Sequence, residues 1–179
     1  GECEEMAEAM DIITKCLQKR NLQGVWQMKI VSGDNYIKEI KKLIETYTAS
    51  IGRNLDFQNL NEELHDFPSK YSYPKGKLLA AVSDEGEVIG CVAYTKKSTT
   101  RSEMKRLYVK PEYRKLKAGR ALAETIINEA RNDGYKEMVL DTLRPMQSAI
   151  KLYKSLGFIE IPPYYDNPME DVIYMKLDL

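Results

Sequence analysis

The chain has 179 residues, 43% hydrophobic and 30% charged, which fits one soluble globular domain with a core of its own. Its 27 Lys and Arg offset 27 Asp and Glu, and a net charge of zero argues against wholesale nucleic-acid binding. No apolar run nears the ~18 residues of a membrane span, and the acidic opening Gly1-Glu2-Cys3-Glu4-Glu5 does not read as a signal peptide.

Met6, Met10, Ile13 and Leu17, at steps of four, three and four, predict an amphipathic helix over 4–20. Residues 1–27 are therefore expected to form a helical extension, a packing or homodimer element, ahead of a domain over 28–179. A first strand falls within Val25–Val31. The next helix follows Ser32-Gly33-Asp34, carries the stripe Ile37, Ile40, Ile44, Tyr47 and Ile51, and stops at Gly52. A weaker helix is expected over 56–66, with breaks at Pro68, Pro74 and Gly76. Leu78–Ser83 and Val88–Thr95, joined through Asp84-Glu85-Gly86, predict a hairpin. Met104–Val109 is the next strand. Ala118, Leu122, Ile126 and Ala130 repeat at four-residue steps and predict a helix that Gly134 ends. A strand over Met138–Leu143, a helix over Met146–Leu156 stopped by Gly157, and strands over Phe158–Ile161 and Val172–Leu177 complete the chain. This order predicts a mixed α/β domain with one parallel step around the 118–132 helix.

Several chemistries lose their support at once. Cys3, Cys16 and Cys91 are too few and too scattered for a disulfide framework or a cysteine zinc site, and reduced thiols in a cytoplasmic protein are the simplest reading. His65 is the single histidine, and no G-x-S-x-G elbow, Walker A or G-x-G-x-x-G motif accompanies it. No metal is expected.

Val109 to Arg120, VKPEYRKLKAGR, holds Lys110, Arg114, Lys115, Lys117 and Arg120 against the lone acid Glu112. It opens a helix, where cations oppose the positive end of the helix dipole. A solvated loop leaves that cost unexplained. A bound anion accounts for it, because backbone N–H groups and cationic side chains then share one target.

MKRLYV, KPEYR, KAGRAL, MVLDTL and AIKLYKSLGF together resemble the GNAT superfamily of acetyl-CoA-dependent N-acetyltransferases, over roughly 78–179. The family's pyrophosphate signature, Gln/Arg-x-x-Gly-x-Gly/Ala, reads Arg114-Lys115-Leu116-Lys117-Ala118-Gly119 here, with Lys117 in place of the first glycine. The resemblance implies a central mixed, mostly antiparallel twisted sheet flanked by helices, with strands 104–109 and 138–143 splayed. It implies acetyl-CoA as co-substrate, its pyrophosphate cradled by Arg114, Lys115, Lys117, Ala118, Gly119 and Arg120. Leu107 and Val109 would pair their backbones with the pantetheine arm. Met146 stands where family members carry an asparagine. Tyr153, in LYKSLGF, matches the tyrosine that protonates the departing thiolate. Glu103, six residues before Val109, matches a glutamate that some members use as general base.

Each candidate has a plain alternative: core packing for Tyr153, a strand-end carboxylate for Glu103, a cross-strand salt bridge for Asp141, the second candidate base. Arg144 is a candidate grip for a substrate carboxylate, and Tyr164 and Tyr165 are candidate pocket walls. The expected activity is acetyl transfer from acetyl-CoA to a small-molecule primary amine by direct attack in a ternary complex. A protein N-terminal or lysine acetyltransferase and an acyl-CoA-binding sensor without turnover are the alternatives.

Overall fold

A computed structural model describes residues 16–17, 28–52 and 62–179. Its strands are β1 (Cys16–Leu17), β2 (Met28–Ser32), β3 (Gly76–Ser83), β4 (Val88–Lys96), β5 (Arg101–Val109), β6 (Glu137–Leu143), β7 (Ile159–Ile161) and β8 (Val172–Asp178). The helices are α1 (Ile37–Ile51), the single turn α2 (Phe67–Lys70), α3 (Ala118–Asn132) and α4 (Gln147–Ser155). One sheet runs in the order β1-β2-β3-β4-β5-β6-β8-β7. All neighbours are antiparallel except β5 and β6. This is the mixed α/β architecture expected, with the parallel step around α3.

The start of the chain departs from expectation. Cys16 and Leu17, read as part of a helix, pair antiparallel with Lys29 and Met28 and cover an otherwise open sheet edge. The remainder of the 4–20 helix lies outside the described residues, as do residues 56–61 of the weaker helix; residues 62–65 are helical and end at an exposed His65.

The two faces of the sheet carry two cores. α3 fits the pattern that predicts it: Ala118, Leu122, Ile126 and Ala130 are each 0% exposed. They pack with Leu79, Val92, Tyr94, Met104 and Leu140 from one face and with Ile150 and Tyr153 of α4. On the other face Ile40, Leu43 and Ile44 of α1 meet Phe67, Tyr71, Leu78, Ala80, Cys91, Ala93 and Tyr108. Gly52 ends α1 in the left-handed region, at φ 66°.

β5 is kinked by a bulge. Cys91 pairs with Tyr108 but Ala93 pairs with Lys105, so β5 carries one extra residue there. Arg106 absorbs it at φ 59°, a region that a residue with a Cβ rarely enters. The Cys91 thiol donates to the Arg106 carbonyl at 3.2 Å. Gly90 lets β4 stay close at this point, since a Cβ there would stand 2.8 Å from the Tyr108 carbonyl oxygen and 3.0 Å from Leu122 Cδ1. Gly90→Ala is expected to destabilise the fold by ~1–3 kcal/mol, the usual range for overpacking. A thermal melt should show a midpoint several degrees lower; an unchanged midpoint would mean the bulge tolerates the methyl group.

Candidate active site

β5 and β6 pair only through Arg101 with Glu137, Ser102 with Met138 and Glu103 with Val139. Beyond Glu103 the strands part, as the resemblance implied. The edge of β5 that faces β6 is therefore without a strand partner from Met104 to Val109, and strand backbone so placed seeks an extended partner. A cleft of about 1210 Å³ opens between the strands, with Leu107, Val109, Arg114, Asp141, Tyr153 and Tyr165 among the residues that line it.

At the cationic end, Pro111–Leu116 forms a 3-10 turn that delivers the chain into α3 through Lys117. Lys117 takes φ 57° and ψ 28°, the left-handed conformation that glycine enters most easily. Left-handed geometry costs an L-residue ~1–2 kcal/mol. The loop thus keeps the turn of the family signature without its glycine, and adds an exposed ammonium. Ala118 is fully buried and anchors the helix start. Gly119 leaves room above the first turn: a Cβ there would meet nothing nearer than Leu152 Cδ2 at 3.8 Å. The first-turn N–H groups of α3 have no carbonyl of their own helix to bond. Arg120 is engaged sideways, with Glu124 at 3.2 Å and with the Ser155 hydroxyl. The side chain of Lys115 lies outside those described. An unpartnered strand edge leading to a helix N-terminus ringed by cations fits an extended pantetheine ending in a pyrophosphate.

Tyr153, on α4, is 7% exposed and lines the cleft. Burial pushes its phenol well above the usual range, and Tyr47 and Asp141 push it the same way. Met146 also lines the cleft, and its sulfur accepts from the Tyr47 hydroxyl at 3.6 Å and the Thr142 hydroxyl at 3.9 Å.

The loop between β7 and β8 contributes Tyr165 and Asp166 to the lining. Tyr165 donates to Asp141, and Tyr164 donates to Glu103 at 2.5 Å. The rings of Tyr164, Tyr165 and Tyr174 meet edge to face at 5.3–5.4 Å. Both expected carboxylates are thus under the loop, but in different positions. Asp141 lines the cleft. Glu103 is 3% exposed at the closed root of the strands, with Lys97 at 3.3 Å and Lys105 at 3.7 Å, and is not among the lining residues. Arg144 is exposed and outside the lining, because the turn after β6 carries it past the cleft with its N–H on the Asp171 carbonyl.

Sequence reasoning missed Lys105 and Arg106, which line the cleft from the bulge. Arg106 is paired with the buried Glu63, which also accepts from Tyr71 and Lys70. Burial lowers the Lys105 ammonium below the usual lysine range; Glu103 opposes this, and Lys70 and Arg106 add to it. Cys91 is fully buried and its thiol is pushed up to about 12, again by burial.

Residues 41–158 match the family model described as the Acetyltransferase (GNAT) family. An uncharacterised N-acetyltransferase of Schizosaccharomyces pombe is 42% identical over 80% of this chain and 88% of its own length. A second, from Dictyostelium discoideum, is 32% identical over 85% of this chain and 99% of its own. The crystal structure of an acetyltransferase from Streptococcus agalactiae shares the fold, with a TM-score of 0.73, 23% identity, and coverage of 85% of this chain and 98% of that one. With the splayed strands, the cationic helix start and these relatives together, the chain belongs to the GNAT family of acetyl-CoA-dependent N-acetyltransferases.

Proposed function

We propose that the protein transfers the acetyl group of acetyl-CoA directly to the primary amine of a small molecule. The observation that carries this reading is the acidic and aromatic lining of the cleft, where Asp141, Asp166, Tyr165 and Tyr153 all contribute to its walls. An ammonium is drawn to such carboxylates. A direct attack is supported by Cys91, whose buried and protonated thiol is no nucleophile.

The co-substrate supplies an activated acetyl thioester. The backbone edge from Met104 to Val109 holds its pantetheine arm, and Arg114, Lys117 and the first turn of α3 hold its pyrophosphate. Asp141 holds the acceptor ammonium and takes one proton from it. The free amine then attacks the thioester carbonyl, and the C–N bond forms as the C–S bond breaks. Coenzyme A leaves as the thiolate, and the second nitrogen proton passes to solvent. Glu103, sealed behind Tyr164, fixes that side chain rather than meeting the amine, so direct contact with the acceptor passes from Glu103 to Asp141. Tyr153 donates to the sulfur. A phenol raised above its usual value of ~10 does not yield its proton outright to a thiolate that titrates near ~8.5. Its contribution is a preorganised hydrogen bond to the charge that develops on sulfur in the transition state.

Acetyl-CoA is expected to stabilise the protein by ~2.7 kcal/mol at a hundred times its Kd, seen as a raised melting temperature; a melt unmoved by millimolar acetyl-CoA would refute the cofactor assignment. Lys117→Gly removes the charge and relieves the left-handed backbone. It should melt at or above the wild-type temperature and bind coenzyme A more weakly, with the deficit shrinking as salt is added. Equal affinity at low salt would show that the ammonium does not reach the phosphates. Tyr153→Phe keeps the ring and its packing. With an accepted amine in hand, kcat should fall about 10²-fold or more while acetyl-CoA affinity by calorimetry stays nearly constant. A wild-type kcat under conditions where chemistry limits would assign Tyr153 to packing alone.

A further inference from the structure

We propose that the acceptor amine also bears a carboxylate, and that Lys105 and Arg106 bind it while Asp141 takes the amine. This rests on the acetyl-transfer reading above and names its substrate class.

The argument starts at the bulge. Successive residues of a regular strand point to opposite faces of a sheet. Lys105 pairs with Ala93, which faces the α1 core. Arg106 should then face α3. Its left-handed backbone, at φ 59°, turns it back to the α1 face instead, where it meets Glu63. Two consecutive cations therefore project from one strand into one cleft. A regular strand cannot do this, so the strain at Arg106 has a consequence for what the cleft can bind.

The electrostatics of that wall are unfinished. Arg106 is matched by Glu63, and its Nε, like Glu103 Oε1, is buried without a hydrogen-bond partner. Lys105 has Glu103 at 3.7 Å, beyond hydrogen-bond reach, and Glu63 also attracts it. One oxygen of that carboxylate is already taken by Tyr164, and Lys97 lies closer to the other. Lys105 is also crowded by the like charges of Lys70 and Arg106, which a bound anion would relieve. Glu63 is shared by Arg106 and Lys70, and Glu103 by Lys97 and Lys105, so positive charge exceeds negative on this wall, and a carboxylate of the acceptor would offset part of it. Across the cleft stand Asp141, bonded by a neutral phenol rather than a cation, and Asp166. A cationic wall facing an acidic one suits a zwitterion with its ammonium toward Asp141. Arg144, the carboxylate grip expected from the sequence, is outside this cleft; Lys105 and Arg106 take over that role.

The test compares matched acceptors on the wild-type chain: an amino acid, its carboxamide and the corresponding decarboxylated amine, for aromatic, aliphatic and acidic side chains. Coenzyme A release gives kcat/KM for each. The acid should be preferred by about tenfold or more in at least one series, because a site built for a polar group is left unpaired by an analogue that lacks it. Lys105→Met should collapse that ratio mainly through KM, and Lys105→Arg should restore it. If the carboxamide or the decarboxylated amine is acetylated as well as the acid in every series, the inference fails while the amine reading stands. A preference that survives Lys105→Met overturns the assignment of Lys105. Should no amine of any series be acetylated although acetyl-CoA binds, both readings fall.

Discussion

Three residue pairs hold the two halves of the sheet together at its middle. β5 and β6 are bonded from Arg101 to Glu103 and then separate, and everything that makes the site depends on that separation. Strands paired along their full length would bury their backbone groups in each other and leave no edge for a ligand. The bulge at Arg106 acts where the strands have parted: it bends β5, aided by the bare Gly90 opposite and by the Cys91 thiol on the Arg106 carbonyl. The same kink that opens the cleft also decides which side chains of β5 enter it.

Buried charge keeps this geometry fixed. Glu63 is 6% exposed and ties α2 to the bulge through Lys70, Tyr71 and Arg106. Breaking one partner of such a cluster leaves an uncompensated buried charge, which is far costlier than losing a surface pair. At the closed root of the strands Glu103 does the equivalent for the β7–β8 loop through Tyr164, with Arg101 lying 6.0 Å from that ring. Two interior carboxylates thus hold the bulge and the β7–β8 loop in place. Neither lines the cleft itself. Their role is to hold groups that do.

Helices α1, α3 and α4 and the succession of strands from β2 onward were legible because their signals are periodic, whereas β1 was read as helix. Ala118, Leu122, Ile126 and Ala130 mark the buried stripe of α3, and Ile40 and Ile44 mark that of α1, each by simple spacing. The cationic helix start was legible because five cations there run against the dipole. What was not legible falls into two physical classes. Arg101, Ser102 and Glu103 form the essential pairing with β6, yet their side chains are polar, so hydropathy begins the strand three residues late at Met104; Ser102 is in fact 0% exposed. Arg106 and Lys117 adopt left-handed backbones without a glycine to announce them. The first of these re-aims a side chain, which is why Lys105 and Arg106 went unremarked while Arg144 drew attention. Only tertiary context supplies that information: the partner of Arg106 is Glu63, 43 residues earlier.

The two left-handed residues bear on the two ends of the same cleft. A glycine at 106 or 117 would enter the conformation freely but carry no charge. An arginine and a lysine accept some backbone strain and bring a cation to the same place. At Lys117 the cation stands beside the start of α3, so side-chain charge and helix dipole act on one target. At Arg106 the nearest carboxylate is the protein's own Glu63, and the excess charge falls to its neighbour Lys105. Under the proposed reading, one site reads a phosphate that every acetyl-CoA carries, and the other reads the acceptor. Substitutions at the first would act on all acceptors alike, whereas those at the second would change which amine is chosen. The bulge is therefore where specificity can change without disturbing the cofactor end, because its side chains face the α1 core while Leu107 and Val109, one and three residues on, still pack toward α3.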